Sequence, residues 1–200
     1  MANWTPLGKA ASHGNIDVIK NLICEGAKVN NDNNEGQTAL QIAANKGRTD
    51  VIEYLIREGA DINKEDNNGW TALHRAAFHS QIDVIETLIR AEVNKGNNDG
   101  QTELHIAARL GHFEAIKYLI SKGGDVNEGD KEGTTALHFA VQNGYIDVVK
   151  VLLAGGAQCD TEDIHGQTPL HQSITLGDRD IADLLVDSTD AKVGDTYILY

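Results

Sequence analysis

Proline is almost absent from this chain, with two in 200 residues, and aromatic residues reach only 5%. So few prolines exclude long proline-rich linkers. So few aromatics, beside many alanines and small aliphatics, argue against one large central core and suit thin, repeated helix packing. No apolar run approaches the 18 residues that a membrane-spanning helix needs, and the N-terminus lacks a basic segment followed by an apolar one. These absences predict a soluble chain without a visible targeting address. Cysteine is scarce too. Cys24 and Cys159 stand far apart, which speaks against a disulfide framework and predicts reduced thiols in an intracellular, cytoplasmic protein. Basic residues are outnumbered, 17 against 30 acidic ones, for a net charge of −13. Such a field repels a phosphate backbone, so nucleic acid is not an expected partner. The same charge suits either plain solubility or a basic partner surface.

What the chain does have is a period. Thr5, Thr38, Thr71, Thr102, Thr135 and Thr168 are spaced 33, 33, 31, 33 and 33 apart. Two residues after each stands a leucine, from Leu7 to Leu170, and a second leucine column runs Leu22, Leu55, Leu88, Leu119, Leu152, Leu185. Each copy has one internal logic. Thr is a good helix N-cap, and Pro6 and Pro169 follow it where a missing N–H costs nothing. A short helix with small faces follows, as at Ala76-Ala77 and Ala107-Ala108. Gly14, Gly47, Gly111, Gly144 and Gly177 stop that helix, with Ser80 in the third copy. A second helix comes next, with apolar residues at helical spacing such as Ile82, Val84, Ile85, Leu88 and Ile89. Gly-Ala pairs such as Gly59-Ala60 end it, and a polar Asn/Asp/Gly stretch returns the chain.

Thr71-Ala-Leu-His-Arg-Ala-Ala77, Thr135-Ala-Leu-His-Phe-Ala140, Thr168-Pro-Leu-His171, Gly59-Ala-Asp-Ile-Asn63 and Gly124-Asp-Val-Asn127 resemble the ankyrin repeat. The resemblance covers residues 4–186, in copies at about 4–35, 36–68, 69–99, 100–132, 133–165 and 166–186, with 187–200 as a C-terminal tail or cap. It implies an all-α ankyrin-repeat solenoid of stacked helix-turn-helix pairs with β-hairpin-like loops, its first helices and hairpin fingers lining a concave groove. By function it implies a non-catalytic scaffold that binds a partner protein through that groove, as a monomer and without cofactors. The chain also departs from the pattern. Copy three lacks two residues between Ile89 and Gly100, where Arg90-Ala-Glu-Val-Asn94 replaces the longer form, so the following hairpin should be altered. Copies one and two carry Gly8 and Gln41 in place of the signature His. Arg179 and Asp178 open the last second helix where inner copies hold Ile82 or Phe113. Tyr197-Ile-Leu-Tyr200 could fold back over the last helix pair or begin a neighbouring domain.

Candidate chemistry resolves into structure. His74, His105, His138 and His171 occur once per copy, three after the Thr, and each is expected to bond that Thr or nearby backbone rather than a metal. His13, His79, His112 and His165 have no ligand-like spacing, and no Cys-x-x-Cys or His-Glu-x-x-His occurs. Asp125-Val-Asn-Glu-Gly-Asp130 has Gly129 and Asp130 in the wrong order for a calcium loop. Cys159 aligns with Val29, Ile62, Val93 and Val126 and should be buried, while Cys24 aligns with Arg57 and should be exposed without a base beside it. No catalytic, cofactor or metal residue is therefore assigned.

Positions that vary between copies are free of the fold. The resemblance implies that the outward ones flank the hairpin glycine or end the first helix, which gives a partner-binding set of Trp70, Phe78, His79, Gln101, Arg109, Leu110, Thr134, Gln142 and Asn143, with Trp70, Phe78, Arg109 and Leu110 as exposed anchors, Trp and Arg being the types enriched at hot spots. A second function reading is a substrate of an asparaginyl hydroxylase, through the loop residues Asn63, Asn94 and Asn127.

Overall fold

The computed structural model describes residues 4–89 and 93–196. The chain divides into two compact units, Met1–Asn98 and Asp99–Tyr200. In the first unit lie α1 (Pro6–His13), α2 (Ile16–Cys24), α3 (Ala39–Asn45), α4 (Thr49–Arg57), α5 (Ala72–Phe78) and α6 (Ile82–Leu88). The second holds α7 (Glu103–Leu110), α8 (Phe113–Ser121), α9 (Ala136–Gln142), α10 (Ile146–Ala154), α11 (Pro169–Leu176) and α12 (Arg179–Thr196).

Each helix pair begins where the sequence places a cap. Thr5, Thr38, Thr71, Thr102, Thr135 and Thr168 all hold extended backbone angles immediately before a first helix. Layering then follows from which faces are apolar. In the first unit α1 packs on α3 and α3 on α5, while α4 packs on α6; in the second α7 packs on α9, α9 on α11, α8 on α10 and α10 on α12. Alanines at the contacts let first helices approach closely: Ala43, Ala44, Ala76, Ala77, Ala107 and Ala108 are fully buried. The second-helix leucines Leu55, Leu88, Leu119, Leu152 and Leu185 are also at 0% exposure. Each such leucine contributes roughly 1.5–3 kcal/mol, so truncation of Leu119 to Ala would cost about 2–5 kcal/mol. Leu22 in copy one and Leu170 in copy six are only half-buried, as expected where a repeat has one neighbour instead of two.

The deletion in copy three is taken out of its second helix. α6 has seven residues, whereas α2, α4, α8 and α10 have nine. Arg90, Ala91 and Glu92 lie outside the described residues. Past them Asn94 turns with φ 75°, a left-handed angle that Asn63 and Asn127 do not take. Copy six departs in the opposite direction. α12 runs 18 residues to Thr196, so the chain stays helical past the end of the repeat pattern at Val186. Asp178 starts that helix by accepting the Ile181 amide at 3.1 Å. Tyr197–Tyr200 lie outside the described residues. Cys159 is buried and Cys24 exposed.

Ser80 ends α5 at φ 52°, in the left-handed region where Gly47, Gly111 and Gly144 stand in other copies at 67–74°. A Cβ there clashes with backbone, and only glycine adopts this angle at little cost. Ser80→Gly should therefore stabilise the protein by about 0.5–1 kcal/mol in urea unfolding, the relief of strain exceeding the extra freedom of glycine in the unfolded chain. No gain in the unfolding midpoint would show that Ser80 is unstrained.

Candidate functional site

The histidine ladder is a set of helix caps. The Thr71, Thr102, Thr135 and Thr168 amides donate to Nδ1 of His74, His105, His138 and His171 at 3.0–3.2 Å. The Thr hydroxyls lie 2.8–3.2 Å from the same nitrogens. The other edge of the ring reaches the next copy. His138 Nε2 lies 3.0 Å from the Gln167 carbonyl, which can only accept, so the proton sits on Nε2 and Nδ1 is the acceptor. His105 faces the Glu128 and Thr134 carbonyls in the same way, although its Nε2 closes no bond of ordinary geometry. Gln41, a departure in sequence, does the same work. Its Oε1 accepts the Thr38 amide at 2.7 Å, and its Nε2 donates to the Lys64 and Trp70 carbonyls at 2.7 and 2.8 Å. In copy one, Gly8 leaves room for Ile42, whose Cδ1 would lie 2.8 Å from an added Cβ.

Polar turns tie successive loops. Asn30 donates to the Gly59 carbonyl and accepts the Asp61 amide, and Asn127 does likewise with Gly156 and Gln158. At the hairpins, one oxygen of Asn33, Asp66, Asp130 and Asp163 accepts the amides two and four residues on, at 2.8–3.0 Å. Hairpins then pair through the backbone, as in Asn67 to Glu35 and Lys131 to Asp99. Gly69 is required by this approach: a Cβ on it would sit 2.6 Å from the Asn98 amide.

With that frame fixed, the variable positions form one surface in each unit. In the first, Trp70, Phe78 and His79 form a chain of rings with centroids 5.7 and 5.0 Å apart. The Arg75 guanidinium lies 5.1 Å from the Trp70 ring centroid and pairs with buried Asp66. His79 also lies 3.0 Å from Asn45 Oδ1. Phe78 is 40% exposed and His79 is exposed. Trp70 differs from expectation: it is half-buried, because Arg75 covers it. Arg75 itself went unselected by the variable-position criterion, although its place four after the cap holds Lys9, Ile42, Arg75, Ile106, Phe139 and Gln172 in turn.

In the second unit a groove of about 780 Å³ brings together Gln101, Thr134 and Gln142 of the expected set. Four carboxylates, Asp99, Asp130, Glu132 and Asp163, line it with Lys131 as the one cation of the lining. Gln142 and Asn143 are exposed, while Gln101 and Thr134 are half-buried. Arg109 and Leu110 are half-buried rather than exposed; Arg109 lies over the Phe139 ring at 5.6 Å. The charge of the chain is concentrated here. Residues 99–200 carry 17 acidic and 7 basic residues, net −10, against 13 and 10, net −3, in residues 1–98. Burial disfavours ionisation of Asp163, but the Gln167 and His165 amides outweigh it and hold its pKa below 3.8, so it is charged at neutral pH. Among the described residues, no group of three or more His, Cys, Asp or Glu side chains could hold a metal ion, and no helix is long and apolar enough to cross a membrane.

The family model for ankyrin repeats (3 copies) matches residues 7–97, 88–163 and 104–196. The chain belongs to the ankyrin repeat family. No curated protein matches it. Ankyrin repeats are in general protein–protein interaction modules, typically without catalytic activity. Repeated caps and loop ties in this ankyrin chain are thus structural, and what distinguishes it from other stacks lies in its variable surfaces.

The caps yield two expectations. His138→Ala should cost about 1–2 kcal/mol by leaving the Thr135 amide without a partner and the Gln167 carbonyl with the Asp163 amide alone, whereas His138→Gln should keep most of the stability, as Gln41 does. Equal losses from the two variants would separate the ring from the bonds it makes. Desolvation lowers the pKa of His105 and of His138 below 6.5. Above that value both states are neutral and the contribution is complete. As pH falls below it, the unfolded chain takes up protons that the folded rings refuse, so stability declines until the folded values are passed. Urea midpoints should drop between pH 7 and 5, and less steeply in His138→Gln; a flat profile would contradict neutral buried rings.

Proposed function

We propose that this ankyrin chain is a non-catalytic scaffold that binds a partner protein through its first-helix ends and hairpin tips. The contact set is Trp70, Phe78 and His79 in the first unit, and Gln101, Arg109, Leu110, Thr134, Gln142 and Asn143 in the second. The observation that carries this reading is the groove of the second unit, where side chains that the repeat does not dictate line about 780 Å³ beside an acidic rim. The ring cluster at Phe78 supports it from the first unit. It offers an exposed aromatic edge held in place by Trp70, and rigid aromatics contribute most where little ordering is needed. The scaffold acts as one copy of the chain, within the cell, with no cofactor.

The hydroxylase-substrate reading is the weaker one. Both ends of the Asn127 amide are tied to the next loop, so modification at that side chain requires the loop to open first.

Affinity capture with the whole chain, followed by variants, tests the leading reading. Phe78→Ala and Gln142→Ala should each cut retention of the captured protein several-fold, a loss on the order of 1 kcal/mol or more in binding, with little change in the melting midpoint. Glu86→Ala, an exposed change on α6, should retain it fully. Retention by both surface variants would place the contact elsewhere on the molecule.

A further inference from the structure

We infer that the groove of the second unit seats an extended protein segment bearing two arginines about three residues apart, one on Asp130 and one on Asp163. The inference rests on the binding reading above and names the chemistry of the partner.

The first observation is that the fold does not ask for these charges. Asn33 accepts the Glu35 and Gln37 amides at 2.9 Å each, as Asp130 accepts Glu132 and Thr134 and Asp163 accepts His165 and Gln167. A neutral amide therefore meets every demand of this hairpin. The carboxylates of copies four and five are charged beyond what folding requires.

The second observation comes from copy three, which supplies a cation from its own chain. Asp66 makes the same turn with one oxygen, and its other oxygen holds the Arg75 guanidinium, which stacks on Trp70. The position of Arg75 is Phe139 in copy five and Gln172 in copy six. No lysine or arginine pairs with Asp130 or Asp163 among the described residues; the second oxygen of Asp130 meets the neutral Gln101 amide at 3.4 Å. Arg109 rests on the Phe139 ring without reaching either carboxylate. A carboxylate oxygen outside the turn calls for a partner rich in N–H, and a guanidinium offers five in a fixed fork.

The spacing follows from geometry. Packed helix layers lie about 8–10 Å apart. A segment in the extended polyproline-II form advances about 3.1 Å per residue with three residues per turn, so two arginines three apart lie on one face and match successive hairpins. The net charge of −10 on residues 99–200 steers a cationic segment toward this unit.

The test uses the whole chain and a twelve-residue Gly/Ser peptide with an Arg-Gly-Ser-Arg core, followed by fluorescence anisotropy and amide NMR. The peptide should shift the amides of Glu132, Thr134, His165 and Gln167. Its affinity should fall at least tenfold in the Asp130→Asn/Asp163→Asn double variant, and at least tenfold when both arginines are replaced by glutamine. The melting midpoint of the double variant should stay near that of the parent, as Asn33 shows that the turn survives. Unchanged affinity in the double variant, or shifts only outside the groove, would overturn the inference. The captured partner separates the two readings: if Gln142→Ala loses it while the double variant keeps it, the arginine assignment fails and the groove stands. If both keep it, together with Phe78→Ala, the groove reading fails as well.

Discussion

Stacking in this chain draws on a side chain three residues into the first helix that, at Gln41 and His138, bonds in two directions at once. Backward, it accepts the amide of its own capping threonine. Forward, it donates to loop carbonyls of the next copy: Gln41 to Lys64 and Trp70, His138 to Gln167. One group thereby joins the start of a helix to the placement of the following hairpin. Local and neighbouring order form together, which is how a chain whose repeats touch only their neighbours gains cooperativity. Burial gives the bond its weight. Water cannot replace a lost partner at His138 or Gln41, so an unmade bond costs the desolvation of the group left behind.

Because that bond, the loop asparagines and the turn residues satisfy the backbone, the remaining side chains at the hairpin tips and first-helix ends are not dictated by the fold. They are the positions at which copies differ. The hairpin that joins copies two and three is filled by an ion pair and a ring stack, its surface closed by Arg75 and Trp70. Copies four and five leave the carboxylates of Asp130, Glu132 and Asp163 facing a groove. The same backbone thus presents a neutralised aromatic surface in one unit and an acidic hollow in the other, with no change in how either is held.

The fold was legible because its signal is covalent spacing: a cap, a leucine and a glycine recur at one interval, and each names a local conformation. The capping role of the histidines was equally legible, since Thr and His at that separation share one helix turn. Their forward bond was not, because it joins residues 29 apart, and Gln41 looked like a loss until its amide proved to bond both ways as the imidazole does. Variable positions were legible as a set, but their burial was not. Trp70 is shaded by Arg75, whose own position varies and could have been selected by the same criterion. Arg109 lies on Phe139 for a similar reason: cations settle on ring faces that a one-dimensional pattern does not align.

Asn33 and Asp163 together show where information about partners is stored in such a molecule. Both residues make one turn with the same two amide bonds, so stability cannot choose between them. Charge at that position costs the fold little, and one carboxylate oxygen remains outside the turn to meet whatever approaches. An acidic residue kept where an amide would serve, in two successive copies that line one groove, is better explained by a ligand than by the hairpin. General solubility does not account for it either, because solubility is served by charge anywhere on the surface and these two carboxylates line a groove.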